Sequence, residues 1–223
     1  MRWYVFFFLV ALFLTALSLP FDLAILRSAK QLNLRGDVAK FFDYCELFGH
    51  GLGVALIIAT ATVLDHRSYR SAAYLIICAY GAGLVADATK LIVARTRPYY
   101  LQDLGGSVAD TVVEWFPVWS FEFIKQANTS FPSGHTATAF GLALGLGALY
   151  PRGRFLFLGF AMLTGVQRVS TFAHYPSDVA AGAAIACLMM MIHHHPFLTS
   201  CTSPPLSHDI RDSAGKSLAA NGV

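Results

Sequence analysis

Arg168-Val-Ser-Thr-Phe-Ala-His174-Tyr-Pro-Ser-Asp178 places an arginine, a histidine and an aspartate within eleven residues, between one apolar run that ends there and another that begins there. Ionisable groups at the end of a membrane segment are costly unless they pair with one another or line a polar site. The stretch therefore reads as functional, and the runs that flank it as helices in a bilayer. Two more stretches have the same character. Lys90-Leu-Ile-Val-Ala-Arg-Thr-Arg97-Pro98 closes an apolar run, and Pro132-Ser133-Gly134-His135 opens one. The three together suggest a phosphate site.

The composition fixes the solvent in which these stretches are read. Of 223 residues 56% are hydrophobic and 13% charged, with a mean hydropathy of +0.55. That is a membrane composition, and several runs approach the roughly 17–25 apolar residues that cross a bilayer as a helix. A soluble α/β domain is excluded. The net charge of +3 comes without a basic run, so nucleic acid is not an expected partner. Cys45, Cys78, Cys187 and Cys201 lack metal-ligand spacing and predict no disulfide framework.

Working outward, the sequence predicts six spans. The first, Trp3 to Leu19, is stopped by Pro20; it reads as a retained helix in preference to a signal peptide, although Ala16-Leu-Ser18 is a passable cleavage site. Residues 20–48 carry four acids and four bases and read as a solvated, amphipathic connection. The second span runs from about Gly49 to Leu64, with Gly49, Gly51 and Gly53 admitting a neighbouring backbone, and the third from Ser71 to about Ala94. Near the end of the third, Asp87 and Lys90 are three apart and can offset each other's charge. The fourth, fifth and sixth spans are His135–Tyr150, with Gly141 and Gly145 at GxxxG spacing, about Phe155–Val169, and Asp178 to about Ile192. Between the third and fourth, Trp115, Phe116, Trp119, Phe121 and Phe123 suit a segment at the headgroup level, either anchoring the loop or guiding a substrate.

Six spans put all three motif stretches on one membrane face. Lys90 and Arg97 are about two helical turns apart and can project toward one point before Pro98 ends the helix. Ser133-Gly134-His135 opens the fourth helix, where unpaired N–H groups favour an anion. Arg168 ends the fifth. A dianionic phosphate suits this set of donors. A neutral imidazole is a competent nucleophile at phosphorus, and a carboxylate near its other nitrogen fixes the tautomer, which describes His174 with Asp178. His135 is left to protonate the leaving alkoxide.

The stretches Lys90-x6-Arg97-Pro98, Pro132-Ser-Gly-His135 and Arg168-x5-His174-x3-Asp178 resemble, in order and spacing, the three signature motifs of the type 2 phosphatidic acid phosphatase (PAP2) superfamily, which also includes vanadium haloperoxidases and glucose-6-phosphatase. The resemblance covers roughly residues 49–190. It implies an all-α, six-transmembrane-helix bundle and metal-independent hydrolysis through a phosphohistidine. It also implies His174 as nucleophile, Asp178 as its partner and His135 as general acid, with Lys90, Arg97, Ser133, Gly134 and Arg168 binding phosphate. One position departs: the residue before Arg168, usually Ser in the family, is Gln167.

The expectation is a single membrane phosphatase domain over residues 1–196 and a disordered cytoplasmic tail over 197–223, rich in Ser, Pro and small residues. The substrate is a lipid phosphate monoester or diphosphate: phosphatidic acid, phosphatidylglycerol phosphate, undecaprenyl diphosphate or the lipid A phosphates. Two alternatives stand beside it, a lipid phosphotransferase using the same phosphohistidine and an anion or lipid-phosphate transporter. The bilayer is the expected environment, with no cofactor and no protein partner. His193, His194 and His195 point in different directions around a helix and make a poor metal site. The short turns with Arg67 and Arg70, and with Arg152 and Arg154, assign their face to the cytoplasm, leaving the site on the periplasmic face of a bacterial inner membrane.

Overall fold

The computed structural model describes residues 2–32, 36–64, 69–101, 106–121 and 125–193. Each of the six apolar runs is helical. The elements are α1 Arg2–Ser18, α2 Asp22–Leu32, α3 Asp37–Cys45, α4 Gly51–Leu64, α5 Tyr69–Thr89, β1 Val93–Arg95, β2 Val112–Trp115, α6 Gly134–Leu149, α7 Arg154–Ser170 and α8 Pro176–His193.

The bundle is built around α6, which packs against α5, α7 and α8, while α1 lies along α8. Its sequence is apolar all round, as a helix enclosed by others must be, and nearly every residue from Thr136 to Leu149 is buried. Small residues permit the enclosure. A Cβ at Gly141 would lie 2.2 Å from the Cys78 carbonyl oxygen, so the α5 backbone sits directly on this position. Ala79, Ala82, Ala86, Ala137, Ala139 and Ala143 continue the close seam. Large apolar side chains face outward instead, among them Trp3, Phe13, Leu52, Leu84 and Phe155, an inversion that suits a lipid surround.

By length and composition Trp3–Leu32 and Arg70–Thr89 are each able to cross a membrane. Asp37–Phe48 and Gly51–Leu64 pass the same test together as a pair bent by 65°, and Pro176–Ile192 is apolar but shorter.

Three expectations are corrected. Pro20 does not stop the first helix, because one 3-10 turn, Leu19–Phe21, carries the chain into α2 with the proline in its first turn, where no N–H is missed. The third span ends at Thr89 and not near Ala94. Beyond it the chain turns and extends as β1, which pairs antiparallel with β2 (Val93 with Trp115, Ala94 with Glu114, Arg95 with Val112), so the connection before α6 holds a two-stranded sheet. Trp115, Phe116, Trp119 and Phe121 are exposed on it. Phe123 lies outside the described residues, as do His194, His195 and the tail. The third correction concerns residues 20–48: Asp22 is fully buried, and Glu46 enters the site described next.

Candidate active site

The motif residues are assembled by the ends of α5, α6, α7 and α8 and by two extended segments. Arg95 and Arg97 are two apart in extended chain, so their side chains leave the same side of it. The segment 127–130 runs alongside: Arg97 N–H donates to the Ala127 carbonyl at 2.7 Å and Ser130 N–H to the Arg95 carbonyl at 3.0 Å. Ser133 then caps α6, its hydroxyl oxygen accepting from the Thr136 N–H. Ser133 N–H donates to the Asp178 carbonyl at 3.0 Å, which ties the start of α6 to the start of α8. The loop from α7 to α8 is fixed at the Arg168 carbonyl, which accepts from Ala173 and His174 N–H at 3.1 Å each.

His174 is buried. Its Nδ1 lies 2.7 Å from the Ser130 carbonyl oxygen, an acceptor only, so Nδ1 carries the proton and Nε2 keeps a free lone pair. Asp178 Oδ2 is 3.7 Å from the same Nδ1, too far for a hydrogen bond. The backbone therefore fixes the tautomer, and Asp178 supplies charge beside it. Burial holds the His174 imidazole below its ordinary value; Asp178 opposes this, and Arg97 and Arg168 reinforce it.

Asp178 is itself the end of a buried chain of charges. Arg95 Nη1 donates to its Oδ1 at 2.6 Å, and Ser130 Oγ and Tyr175 N–H donate to Oδ2 at 2.6 and 3.0 Å. Arg95 also donates through Nη2 to Asp22 Oδ2 at 2.7 Å, through Nη1 to Ser177 Oγ at 2.8 Å and through Nε to Thr111 Oγ1 at 3.0 Å. Its guanidinium stacks 3.8 Å above the Tyr175 ring. Burial works against that charge, but Asp178 and Asp22 outweigh it and raise the Arg95 value. The charged groups of Arg95, Asp22 and Asp178 are all hydrogen-bonded, the condition under which buried ions are tolerated.

Near His174 stand the cations expected from the sequence to bind an anion. Arg97 donates to Thr129 Oγ1 at 3.2 Å, while its Nε and that of Arg168 are buried with no hydrogen-bond partner among the described residues. Burial lowers the Arg97 value, and neighbouring Arg168 lowers it further. Lys90 Nζ pairs with Asp87 Oδ1 at 2.6 Å, as their spacing predicts, and sits beside Gly134, where a Cβ would be 3.8 Å from Nζ. The expected set of Lys90, Arg97, Ser133, Gly134, His135, Arg168, His174 and Asp178 is thus brought to one end of the bundle, though Lys90 and Arg97 arrive from a turn and an extended segment and not from two turns of one helix.

Three residues of this neighbourhood escape a reading by motif. Arg95 holds Asp178, and Asp22 holds Arg95 from its other side. Glu46 accepts from Arg168 Nη1 through Oε1, which also lies 3.3 Å from His135 Nε2, and from Gln167 Nε2 through Oε2 at 3.2 Å. One signal was available for Asp22: an acid at the end of an apolar run, the criterion that singled out Lys90. Beside Glu46 a cleft of about 350 Å³ opens past Asp43, Arg97, Tyr99, Gln126 and Arg168. Among the described residues no group of three or more His, Cys, Asp or Glu is disposed to hold a metal ion.

Comparison with known proteins gives a consistent picture. The family model of the PAP2 superfamily matches residues 70–199, more than half of the chain. A lipid A 1-phosphatase of Rhizobium johnstonii is 32% identical over 150 residues, 66% of this chain and 57% of that protein. Lipid phosphate phosphatase 2 of Arabidopsis thaliana is 27% identical over 166 residues, 60% of this chain and 57% of its own length. The chain thus spans a little over half the length of these relatives. Two crystal structures share the fold: Aquifex aeolicus LpxE (TM-score 0.57, 20% identity, 77% of this chain and 93% of that one) and a PAP2 type phosphatidylglycerolphosphate phosphatase of Bacillus subtilis (TM-score 0.56, 19% identity, 86% and 94%).

Proposed function

The chain belongs to the PAP2 superfamily, and from that premise we propose that it is an integral-membrane phosphatase that hydrolyses a lipid phosphate through a phosphohistidine on His174. The observation that carries the reading is the pairing of a buried imidazole, its Nδ1 proton held by the Ser130 carbonyl, with the Nε atoms of Arg97 and Arg168, which have no hydrogen-bond partner among the described residues. One group is a nucleophile with its lone pair free; the others are donors for the oxygens of the phosphorus it attacks.

In the first step His174 Nε2 attacks phosphorus, the P–N bond forms and the P–O bond to the lipid breaks. His135 gives its proton to the departing alkoxide. In the second, a water loses a proton to His135 and attacks phosphorus, releasing orthophosphate and neutral His174. The charge that develops on the imidazole in the first step is met by Asp178, whose own charge is held in place by Arg95 and Ser130. Arg97, Arg168, Lys90 and the N–H groups at the start of α6 neutralise the equatorial oxygens, and phosphoryl transfer depends chiefly on that neutralisation and on positioning.

The outward apolar faces and the helices of spanning length support a place in the membrane, and the six helical apolar runs are proposed as its crossings. The arginines at 152 and 154 support a site on the face away from the cytoplasm. The deciding experiment is phosphate release by detergent-purified protein from phosphatidic acid, phosphatidylglycerol phosphate, undecaprenyl diphosphate and lipid A, with and without EDTA. Lipid A heads the panel because rhizobial relatives carry that activity in their names. Release from at least one lipid, undiminished by EDTA, is expected; release from none would overturn the reading. Cysteines replacing Ser107 and Arg152, one at a time, should be labelled by an impermeant reagent from outside intact cells only at 107.

A further inference from the structure

One of the donors that the proposed reaction assigns to phosphate, Arg168, is already engaged by a carboxylate of the same chain. Glu46 Oε1 accepts from Arg168 and faces His135 Nε2 at 3.3 Å, and Oε2 is steadied by Gln167 Nε2 at 3.2 Å. One oxygen thus touches both the cation meant for a phosphoryl oxygen and the acid meant for the leaving group. The fold sets it there. Glu46 opens the 3-10 turn Glu46–Phe48. On one side of that turn the Cys45 carbonyl accepts from Thr164 Oγ1 at 2.8 Å. On the other, Gly49 lies so close to α6 that a Cβ would stand 2.4 Å from the His135 carbonyl oxygen. The glutamate side chain is nonetheless 32% exposed, against 10% for Arg168, so it has room to withdraw into the cleft it shares with Asp43.

We propose that Glu46 is a specificity-determining residue, an internal competitor that a substrate phosphate must displace from Arg168 and His135. The identity of the competing anion rests on the phosphatase reading above. Two anions cannot share these donors without a repulsion that each ligand has to overcome. Orthophosphate and small phosphate esters bring only the phosphate to meet that cost. A lipid also brings the binding energy of its acyl chains, and remote binding energy of this kind can be spent at the reacting centre. Glu46 therefore disfavours soluble phosphates and expels the orthophosphate product. Gln167 belongs to the device, since its amide holds the second oxygen of the carboxylate.

The test is calorimetric titration of sodium orthophosphate into the full chain in detergent, for the wild type and for Glu46→Gln and Glu46→Asp. Neutralising the carboxylate should tighten phosphate binding about tenfold, the scale of one half-buried ion pair. The aspartate, one methylene shorter, should give a smaller gain of the same sign and keeps the test open if the glutamine variant fails to fold. In parallel, the preference in kcat/KM for a lipid phosphate over p-nitrophenyl phosphate should shrink in both variants. Phosphate binding that is unchanged or weaker in the variants would overturn the proposal, since a glutamate that merely orients Arg168 predicts weakening. Because the binding arm involves no turnover, it reports even if every lipid in the panel is left intact, and that result would tell against the phosphatase reading alone.

Discussion

Asp178 and His174 lie side by side without a hydrogen bond between them: Oδ2 is 3.7 Å from Nδ1, while the Ser130 carbonyl takes the Nδ1 proton at 2.7 Å. Where a carboxylate alone holds the catalytic imidazole, its replacement by an amide puts the proton on the wrong nitrogen and costs about 10⁴-fold. Here a backbone oxygen does the holding, and it survives mutation. Asp178→Asn should therefore keep His174 in its working tautomer; it removes the charge opposite the developing imidazolium and also one of the two carboxylates that hold Arg95, and in the protein that folds kcat should fall on the order of 10²-fold. A fall of about 10⁴-fold with unchanged thermal stability would return tautomer control to Asp178.

Arg95 answers for stability more than for chemistry. Its guanidinium lies between Asp22 and Asp178, at 2.7 and 2.6 Å, and the side chains of all three are almost wholly buried. Arg95→Met would leave two carboxylates without their cation, and breaking a buried ion pair from one side costs about 3–5 kcal/mol. Thermal unfolding in detergent should register that loss. Adding Asp22→Asn should recover part of it, because the sites share one network and their effects do not add. A loss below about 1 kcal/mol for the single variant would show that the cluster is not what anchors α2 to α8.

What could be read from the sequence follows the distance over which each signal acts. The helices are legible because an apolar run is a local property, and the motif residues because a charged group in such a run stands out by itself. Strand β1 is not legible: three residues show no period, and their partners lie some twenty positions on, past a turn. Asp22 and Glu46 escaped for the same reason on a larger scale. They sit in a segment whose acids and bases balance, and what distinguishes them is tertiary, Arg95 lying 73 residues from Asp22 and Arg168 lying 122 from Glu46. Gly49 is the nearest local hint, a glycine whose close approach to α6 carries Glu46 into the site.

The pH dependence of His174 follows from its surroundings. Burial disfavours its charged form, and Arg97 and Arg168 add to that, against the pull of Asp178. With the folded value below the ordinary one of about 6.5, the imidazole stays neutral, and so nucleophilic, as pH falls through that range; it is protonated only at lower pH. In protein labelled with ¹³C at histidine Cε1, the resonance missing from the His174→Gln variant should show no titration midpoint at or above pH 6.5. A midpoint at or above that value would mean that the carboxylate of Asp178 prevails over burial.

The two histidines should fail differently when the leaving group is changed. His174 is buried, with Nδ1 engaged and Nε2 free, whereas the His135 side chain is 34% exposed at the start of α6, beside Glu46. With His174→Ala no P–N bond can form, so neither a lipid phosphate nor p-nitrophenyl phosphate should be hydrolysed at an appreciable rate. With His135→Ala the nucleophile, Ser130 and Asp178 remain, and the missing element is the proton for the leaving oxygen, a contribution of about 10²–10⁴-fold. A p-nitrophenolate departs with little protonation; a lipid alkoxide needs it. His135→Ala should then lose about 10²-fold or more on the lipid and much less on the activated ester. The comparison is of the loss on each substrate relative to the wild type, so a weakness of the small ester as a ligand that is common to both proteins cancels. Equal losses on the two substrates in a folded His135 variant would remove it from the acid role. Rescue of the His174 variant by the activated ester would exchange the two assignments, and would leave the hydrogen bond from Nδ1 to Ser130 as a structural contact only.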